Sequence, residues 1–383
     1  MSSEINIKDF QVSDLGTVNR IVIAGGGTGG HIFPAIAIAN AIKKIAPQTQ
    51  ILFVGASGKM EMEKVPQAGY EIKGIDIAGF NRSSLIKNIG LPFKLVKSFF
   101  QVAGIIKNFK PTAVIGVGGY SSFPVLRYAQ SKGIPTFIHE SNSFAGKSNI
   151  LLGKKATRVF TSGNGMEKFF SANKLTVSGN PVRQSIVASK LSKDEALIFF
   201  GLSAGKKVVL SIGGSLGAKS INEAIDKDFD LFGQNNLQLI WQTGKPYKEK
   251  AIGRAVGKDY VFVSDFITQM EYAYAAADIV ISRSGAMAIA ELCVVKKPVL
   301  FVPYPFAAED HQTANAKTLV NKQAAKMILD NEALEMLVPS VIELSKDILL
   351  QNRLKENIAK FAVTDADVKI AEEILEILSN SSN

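Results

Sequence analysis

Three histidines occur in the 383-residue chain, His31, His139 and His311, and each is read as following a β-strand. Imidazole is the side chain whose ordinary pKa lies closest to neutrality, so these are the natural groups for proton transfer. His31 closes the run Gly25-Gly26-Gly27-Thr28-Gly29-Gly30, between an expected strand over 20–24 and an expected helix over 34–45. In such a turn the backbone amides can approach phosphate oxygens, and the helix amino terminus adds a dipole that favours anions. The same dipole disfavours an imidazolium and keeps His31 neutral, able to accept a proton near pH 7. A second turn of this kind, residues 213–218, follows an expected strand over 207–212 and precedes a helix opening at 220. The chain thus offers two anion sites and, at the first, a base.

Gly25, Gly27 and Gly30 also match the dinucleotide fingerprint. A nicotinamide-binding unit would place an acid about 20 residues beyond the glycines, at the end of the next strand. Here that position reads Gly55-Ala56-Ser57. The NAD reading therefore lacks its ribose ligand, and only an NADP reading survives.

The elements that must position these groups alternate between short β-branched runs and longer helical patterns, as in a parallel sheet with crossover helices. Further strands are expected over 51–54, 113–117, 136–138 and 158–161, after which the pattern restarts at 207. The expected fold is α/β, with two doubly wound domains joined near the turn sequence at residues 178–181. The first domain covers 1–179 and the second 180–363, and the last helix, within 364–383, returns to the first. A single cysteine, Cys293, excludes an internal disulfide and points to a reducing compartment. The first ten residues lack the basic-then-apolar layout of a signal peptide. No apolar run reaches the roughly 20 residues of a membrane-spanning helix, because Lys94 and Lys97 interrupt the best one. A soluble or peripheral protein is expected.

The run AGGGTGGHIFPAIAIA over 24–39 resembles the MurG family of bacterial cell-wall transferases, which add N-acetylglucosamine to undecaprenyl-diphosphoryl-N-acetylmuramoyl-pentapeptide. The resemblance continues, in order, through GVGGYSSFP (116–124), HESNSFAGKSN (139–149), GNPVR (179–183), GGSLGAKSIN (213–222), SRSGAMAIAEL (282–292) and AAEDHQTANA (307–316). It implies the GT-B architecture, two Rossmann-like domains facing a cleft, and no obligatory metal. Leu216 and His311 depart from the family pattern, which often has Gln at both places.

Carried over by position, the resemblance puts the donor, UDP-N-acetylglucosamine, mainly on the second domain. Ser215 lies at the diphosphate with Arg183 near it, and the Ile267 backbone reads uracil. The segment Ala286, Met287, Ala288, Ile289, Ala290 and Glu291 opens the helix beneath the diphosphate, with Glu291 on the ribose hydroxyls. His311 and Gln312 hold the sugar hydroxyls. Asn142 and Asn222 line the cleft, and Thr28, Gly29 and Gly30 border the donor from the first domain. Tyr120 with the Gly118 and Gly119 amides holds the acceptor diphosphate. The reaction needs a base, for which His31 is the first choice and Glu140 the rival. A UDP-N-acetylglucosamine 2-epimerase of the same fold is the alternative; it would need no lipid acceptor.

The net charge of +10 is concentrated. No acid lies between Asp76 and Glu140, where Arg82, Lys87, Lys94, Lys97, Lys107, Lys110, Arg127 and Lys132 all fall. Within that stretch the apolar residues between Phe93 and Ile106 cover more of a helix than one core-facing stripe requires. A basic helix with outward apolar residues such as Phe100 suits an anionic inner-membrane surface as well as it suits plain solvation. Nucleic acid is disfavoured, since no recognition motif accompanies the charge. The expected location is the cytoplasmic face of the cell membrane, peripherally bound.

Overall fold

The computed structural model describes residues 18–79, 90–307 and 310–380. Two parallel sheets organise it, each beginning with a buried β-branched strand that runs into a glycine-rich turn. The first contains β1 (Arg20–Ala24), β2 (Gln50–Ala56), β3 (Glu71–Ile75), β4 (Ala113–Gly116), β5 (Thr136–Glu140), β6 (Arg158–Thr161) and β7 (Leu175–Val177). The second contains β8 (Lys207–Ile212), β9 (Leu237–Gln242), β10 (Val261–Ser264), β11 (Ile279–Ser282), β12 (Val299–Phe301) and β13 (Lys326–Met327). Their orders are β3-β2-β1-β4-β5-β6-β7 and β10-β9-β8-β11-β12-β13. Near-continuous apolar runs such as Ile21, Val22 and Ile23 are fully buried, as strands covered by helices on both faces require.

In each sheet the strand order reverses beside the first strand, between β1 and β4 and between β8 and β11. Ligand crevices form at the carboxyl ends of strands flanking such a reversal. The register aligns Ala24 with Gly116 and Ile212 with Ser282, so each glycine-rich turn emerges level with the loop after its neighbour.

The first helix spans Gly29–Ile45 and begins five positions ahead of the expected start at Pro34. The paired glycines allow the early turn, and Thr28 O accepts from the His31 and Ile32 amides at 3.1 and 3.2 Å. His31 therefore sits in the first helical turn. The last helix, Ala366–Asn380, lies against this one, burying Ile370, Ile374 and Leu378 with Ile38 and Ile42. Each such aliphatic side chain contributes roughly 1.5–3 kcal/mol when fully buried. Glu373 ties the same helix to the first sheet, pairing with Arg158 at 2.6 Å and accepting from Thr176 Oγ1 at 2.9 Å.

Candidate functional site

The first crevice is built from two interlocked loops, residues 25–30 after β1 and 117–121 after β4. A β-carbon at Gly119, which has φ +86°, would stand 2.3 Å from Gly26 O, so only glycine permits this approach. Ser122 Oγ lies 2.8 Å from both Ala24 O and Gly118 O and clamps the loops together. His31 Nδ1 is 3.0 Å from Gly26 O. A carbonyl only accepts, so Nδ1 carries the proton and Nε2 of the neutral ring is the free acceptor. That nitrogen lies against Gly118, where a β-carbon would come within 2.8 Å. Burial pushes the His31 pKa below its ordinary value, opposed by the Gly26 hydrogen bond and the charges of Glu140 and Glu61. Tyr120 lies half exposed at the rim, its ring against Gly79.

Glu61 is the residue that sequence reasoning missed. It opens the helix Glu61–Gln67 and is fully buried behind the glycine loop. Its Oε2 accepts from Gly27 N at 2.8 Å and its Oε1 from Ala56 N at 2.9 Å. The absent acid near residue 55 is thus replaced by one reaching back from the next helix, and it grips the loop rather than a ribose.

Glu140, the rival base, is buried with both oxygens engaged. Oε1 accepts from Asn142 N and Nδ2 at 3.0 and 3.2 Å, and Oε2 from Gly146 N and Asn149 Nδ2 at 3.0 and 2.8 Å. Four donors make it the brace of the 141–149 loop. Asn142 is half-buried beside it. His139 lies within β5 rather than after it, only 1% exposed, with Nε2 3.3 Å from Gly179 O. Burial lowers its pKa to about 4.

The second crevice repeats the plan with different materials. Gly217, φ +76°, packs on the loop after β9, where a β-carbon would lie 2.0 Å from Thr243 O. Ser215 is half-buried and Leu216 projects into solvent. Gln242, another residue missed, donates from Nε2 to Gly214 O at 3.1 Å and accepts from Ile267 N at 3.0 Å. The Ile267 amide is therefore spent on Gln242, so of the Ile267 backbone, expected to read uracil, the carbonyl is the group left for a nucleobase. Asn222 is corrected. It is buried rather than cleft-lining, because its amide accepts from Trp241 Nε1 at 2.9 Å and donates to Thr243 O at 2.8 Å.

Helix Ala286–Val295 points its amino terminus into the cleft, with Gly285 as N-cap, no side-chain cap and no acid in its first turn. Ala286, Met287, Ala288, Ile289 and Ala290 are all partly exposed there. Glu291 is nearly buried and held by three donors, Arg183 Nε at 3.0 Å, Arg183 Nη2 at 3.1 Å and Tyr274 Oη at 2.9 Å. A carboxylate has about four lone-pair sites, so one acceptor position remains for a sugar hydroxyl. The negative charge beside Tyr274, together with burial as the larger cause, pushes that phenol well above its ordinary pKa. Gln312 accepts at Oε1 from Tyr304 N at 3.0 Å, which leaves its amide nitrogen to donate. His311, half-buried, opens the helix His311–Val320.

The crevices face each other. The Arg183 guanidinium lies 4.5 Å from the Phe33 ring centroid, Ser143 Oγ reaches Asn315 Oδ1 at 3.4 Å, and a β-carbon at Gly30 would be 3.9 Å from Met287 Cγ. Two helix amino termini, at Gly29 and Ala286, therefore converge on one cleft, and neither has an acid in its first turn. Such a cleft can hold a diphosphate with a base at its edge.

On the outer face of the first domain, helix Leu91–Phe109 buries only Ser98, Val102 and Ile106. Phe93 and Phe100 are 80% and 74% exposed, with Val96 between them and Lys94 alongside. Lys97 pairs with Asp76 at 2.6 Å. Arg82 and Lys87 lie outside the described residues. No helix among the described residues is long and apolar enough to cross a membrane.

Residues 21–161 match the glycosyltransferase family 28 N-terminal domain, and residues 208–371 match the C-terminal domain of that family. The UDP-N-acetylglucosamine–N-acetylmuramyl-(pentapeptide) pyrophosphoryl-undecaprenol N-acetylglucosamine transferase of Bacteroides fragilis is 49% identical over 370 residues, 96% of this chain and 97% of that one. The crystal structure of Acinetobacter baumannii MurG superposes with a TM-score of 0.69 at 27% identity, covering 94% of this chain and all of that one. The UDP-GlcNAc 2-epimerase from Neisseria meningitidis bound to UDP-GlcNAc gives 0.68 at 14% identity over 93% of this chain and all of that one, a likeness of fold alone.

Proposed function

The chain belongs to glycosyltransferase family 28, and from that premise we propose that it moves N-acetylglucosamine from UDP-N-acetylglucosamine to the C4 hydroxyl of undecaprenyl-diphosphate-linked N-acetylmuramoyl-pentapeptide in peptidoglycan synthesis. The relative at about half identity carries this activity in its name, whereas the epimerase shares only the fold. The observation that carries the mechanism is the hydrogen bond from His31 Nδ1 to Gly26 O, which leaves Nε2 of the ring to accept a proton at the lip of an anion-binding cleft.

The acceptor hydroxyl attacks the anomeric carbon from the face opposite the diphosphate. Its proton passes to His31 Nε2, the carbon–oxygen bond to the β-phosphate breaks, and UDP departs with the configuration inverted. The new charge on UDP is met by the amino terminus of Ala286–Val295, the amides of 213–217 and Arg183, a set of preorganised dipoles that requires no metal. Ser215 and Met287 border the diphosphate, the free acceptor site of Glu291 takes a ribose hydroxyl, and Gln312 Nε2 with His311 meets the sugar. The Gly118 and Gly119 turn with Tyr120 receives the acceptor diphosphate. The exposed Phe93–Phe100 stripe and its lysines rest on the anionic cytoplasmic leaflet where the lipid acceptor lies.

Incubation with labelled UDP-N-acetylglucosamine and the lipid-linked muramoyl-pentapeptide, with chelator present, should carry label into the organic phase. UDP-glucose should transfer poorly. Epimerised sugar formed without acceptor, and no organic-phase label, would replace this reading with the epimerase.

A further inference from the structure

Gly26 O and Gly27 N belong to one peptide group. The carbonyl end receives His31 Nδ1 at 3.0 Å, and the amide end donates to Glu61 Oε2 at 2.8 Å. A peptide is planar and its N–H and C=O point in opposite directions, so Glu61 and His31 sit at the two poles of the same dipole. We propose that Glu61 is a positioning residue for the transfer reaction, gripping the Gly26–Gly27 peptide so that its carbonyl holds the His31 ring in the tautomer that presents Nε2 to the acceptor hydroxyl. The inference rests on His31 being the base.

The grip is built in from several sides. Glu61 is fully buried, and its other oxygen is anchored by Ala56 N at 2.9 Å. Glycine at 26 and at 55 is required by this carboxyl, since β-carbons there would lie 2.2 Å from its Oε1 and 2.5 Å from its Cγ. Gly26, which reads as room for a phosphate, is instead room for an acid. A carboxylate on the N–H end polarises the amide and strengthens its carbonyl as an acceptor, the cooperative effect expected in a dry hydrogen-bond chain. The charged or titratable groups that act on His31 are Glu61, Glu140 and His139, and the two carboxylates raise its pKa against the larger effect of burial.

The test uses the full chain with the lipid-linked acceptor. Glu61→Gln preserves shape but turns an N–H donor toward an N–H donor and removes the charge. We expect kcat to fall roughly ten- to a hundredfold, the usual cost of losing a partner that orients a reacting group, with donor KM unchanged. Because a nearby negative charge is lost, the His31 pKa should drop, moving the acid limb of kcat/KM to lower pH. Nitrogen-15 NMR of the chain labelled at its three histidines should show the same lower titration together with loss of the fixed Nδ1–H tautomer. If Glu61→Gln does not fold, Glu61→Asp keeps the charge one methylene short and should lower kcat with little movement of the acid limb. For Glu61→Gln a fall in kcat with an unaltered His31 titration and tautomer, for Glu61→Asp a fall in kcat with the Nδ1–H tautomer still fixed, or for either an unchanged kcat, overturns the proposal. Near-normal turnover of His31→Ala would instead sink the base assignment, and the NMR titration alone would then decide whether Glu61 holds the ring.

Discussion

The two glycine-rich turns occupy equivalent places in two sheets of the same topology, yet the space their missing side chains leave is filled differently. In the first crevice part of it is taken by titratable groups, the Glu61 carboxyl against Gly26 and the His31 ring against Gly118, beside the backbone contact of Gly119 with Gly26 O. Around residues 213–217 it is taken by backbone, Thr243 O against Gly217 and Leu216 O against Gly244. Two pairs of charged residues in the second domain, Arg183 with Glu291 and Arg283 with Asp330, are held against each other. One half thus sets an imidazole and a carboxyl against its glycines, and the other carries fixed dipoles and locked charges. In the reaction proposed above, the same fold would supply proton transfer on one side of the cleft and leaving-group stabilisation on the other.

The largest expected effect tests the first half of that contrast. His31→Ala should lower kcat by on the order of a hundred- to ten-thousandfold, the contribution of a positioned general base, while UDP affinity measured by calorimetry stays close to wild type. Near-normal turnover would erase the distinction between the two turns.

Glu291→Ala probes the locked charges. Removing one partner of a largely buried pair leaves Arg183 uncompensated, which costs about 3–5 kcal/mol, and it also removes the proposed ribose acceptor. Thermal unfolding should therefore shift down markedly and donor KM should rise. A variant of unchanged stability would show that the pair is not closed in solution.

Both halves were partly legible in the sequence. Strand β1 is found at the expected residues 20–24, and β8 at 207–212, because buried β-branched runs followed by glycines leave no helical alternative. The partners of the loops were not legible. Glu61 lies 34 positions from Gly27 on a helix whose apolar pattern is unremarkable, and only the β2–β3 crossover brings it back. Asn222 was misplaced, and the engagement of the Ile267 amide not foreseen, for one reason, that hydrogen bonds to Trp241, Thr243 and Gln242 depend on how adjacent loops fold together. Position along a motif says which loop a residue occupies, not which way its amide turns.

The titratable half also predicts how stability responds to acid. His139 has an ordinary pKa of about 6.5 in the unfolded chain, but burial lowers it to about 4 in the folded one. The unfolded state therefore gains a proton first. Stability should fall as pH drops from about 6.5 toward about 4 and level off below, by roughly 3 kcal/mol in all. His139→Gln should flatten that decline in urea titrations across the interval. An equally steep decline would assign the acid sensitivity elsewhere.

The smallest effect per residue concerns a third region, which neither glycine turn controls. Lys94 and Lys97 flank the exposed Phe93–Phe100 stripe on a helix that buries only three residues. Each basic residue near an anionic surface contributes about 1 kcal/mol, so Lys94→Glu with Lys97→Glu should cut binding to anionic vesicles strongly and leave the remainder less sensitive to salt. Lys97 already pairs with Asp76, so reversing it also sets two acids side by side, and Lys94→Glu alone should account for the cleaner part of the loss. Turnover on a water-soluble acceptor analogue should persist, because neither lysine lies in the cleft. A damaged helix would depress both activities together, whereas a lost membrane contact depresses only the reaction with lipid-embedded acceptor. Equal vesicle co-sedimentation by wild type and double variant would leave the stripe and its lysines with no membrane role and confine the functional asymmetry to the two turns.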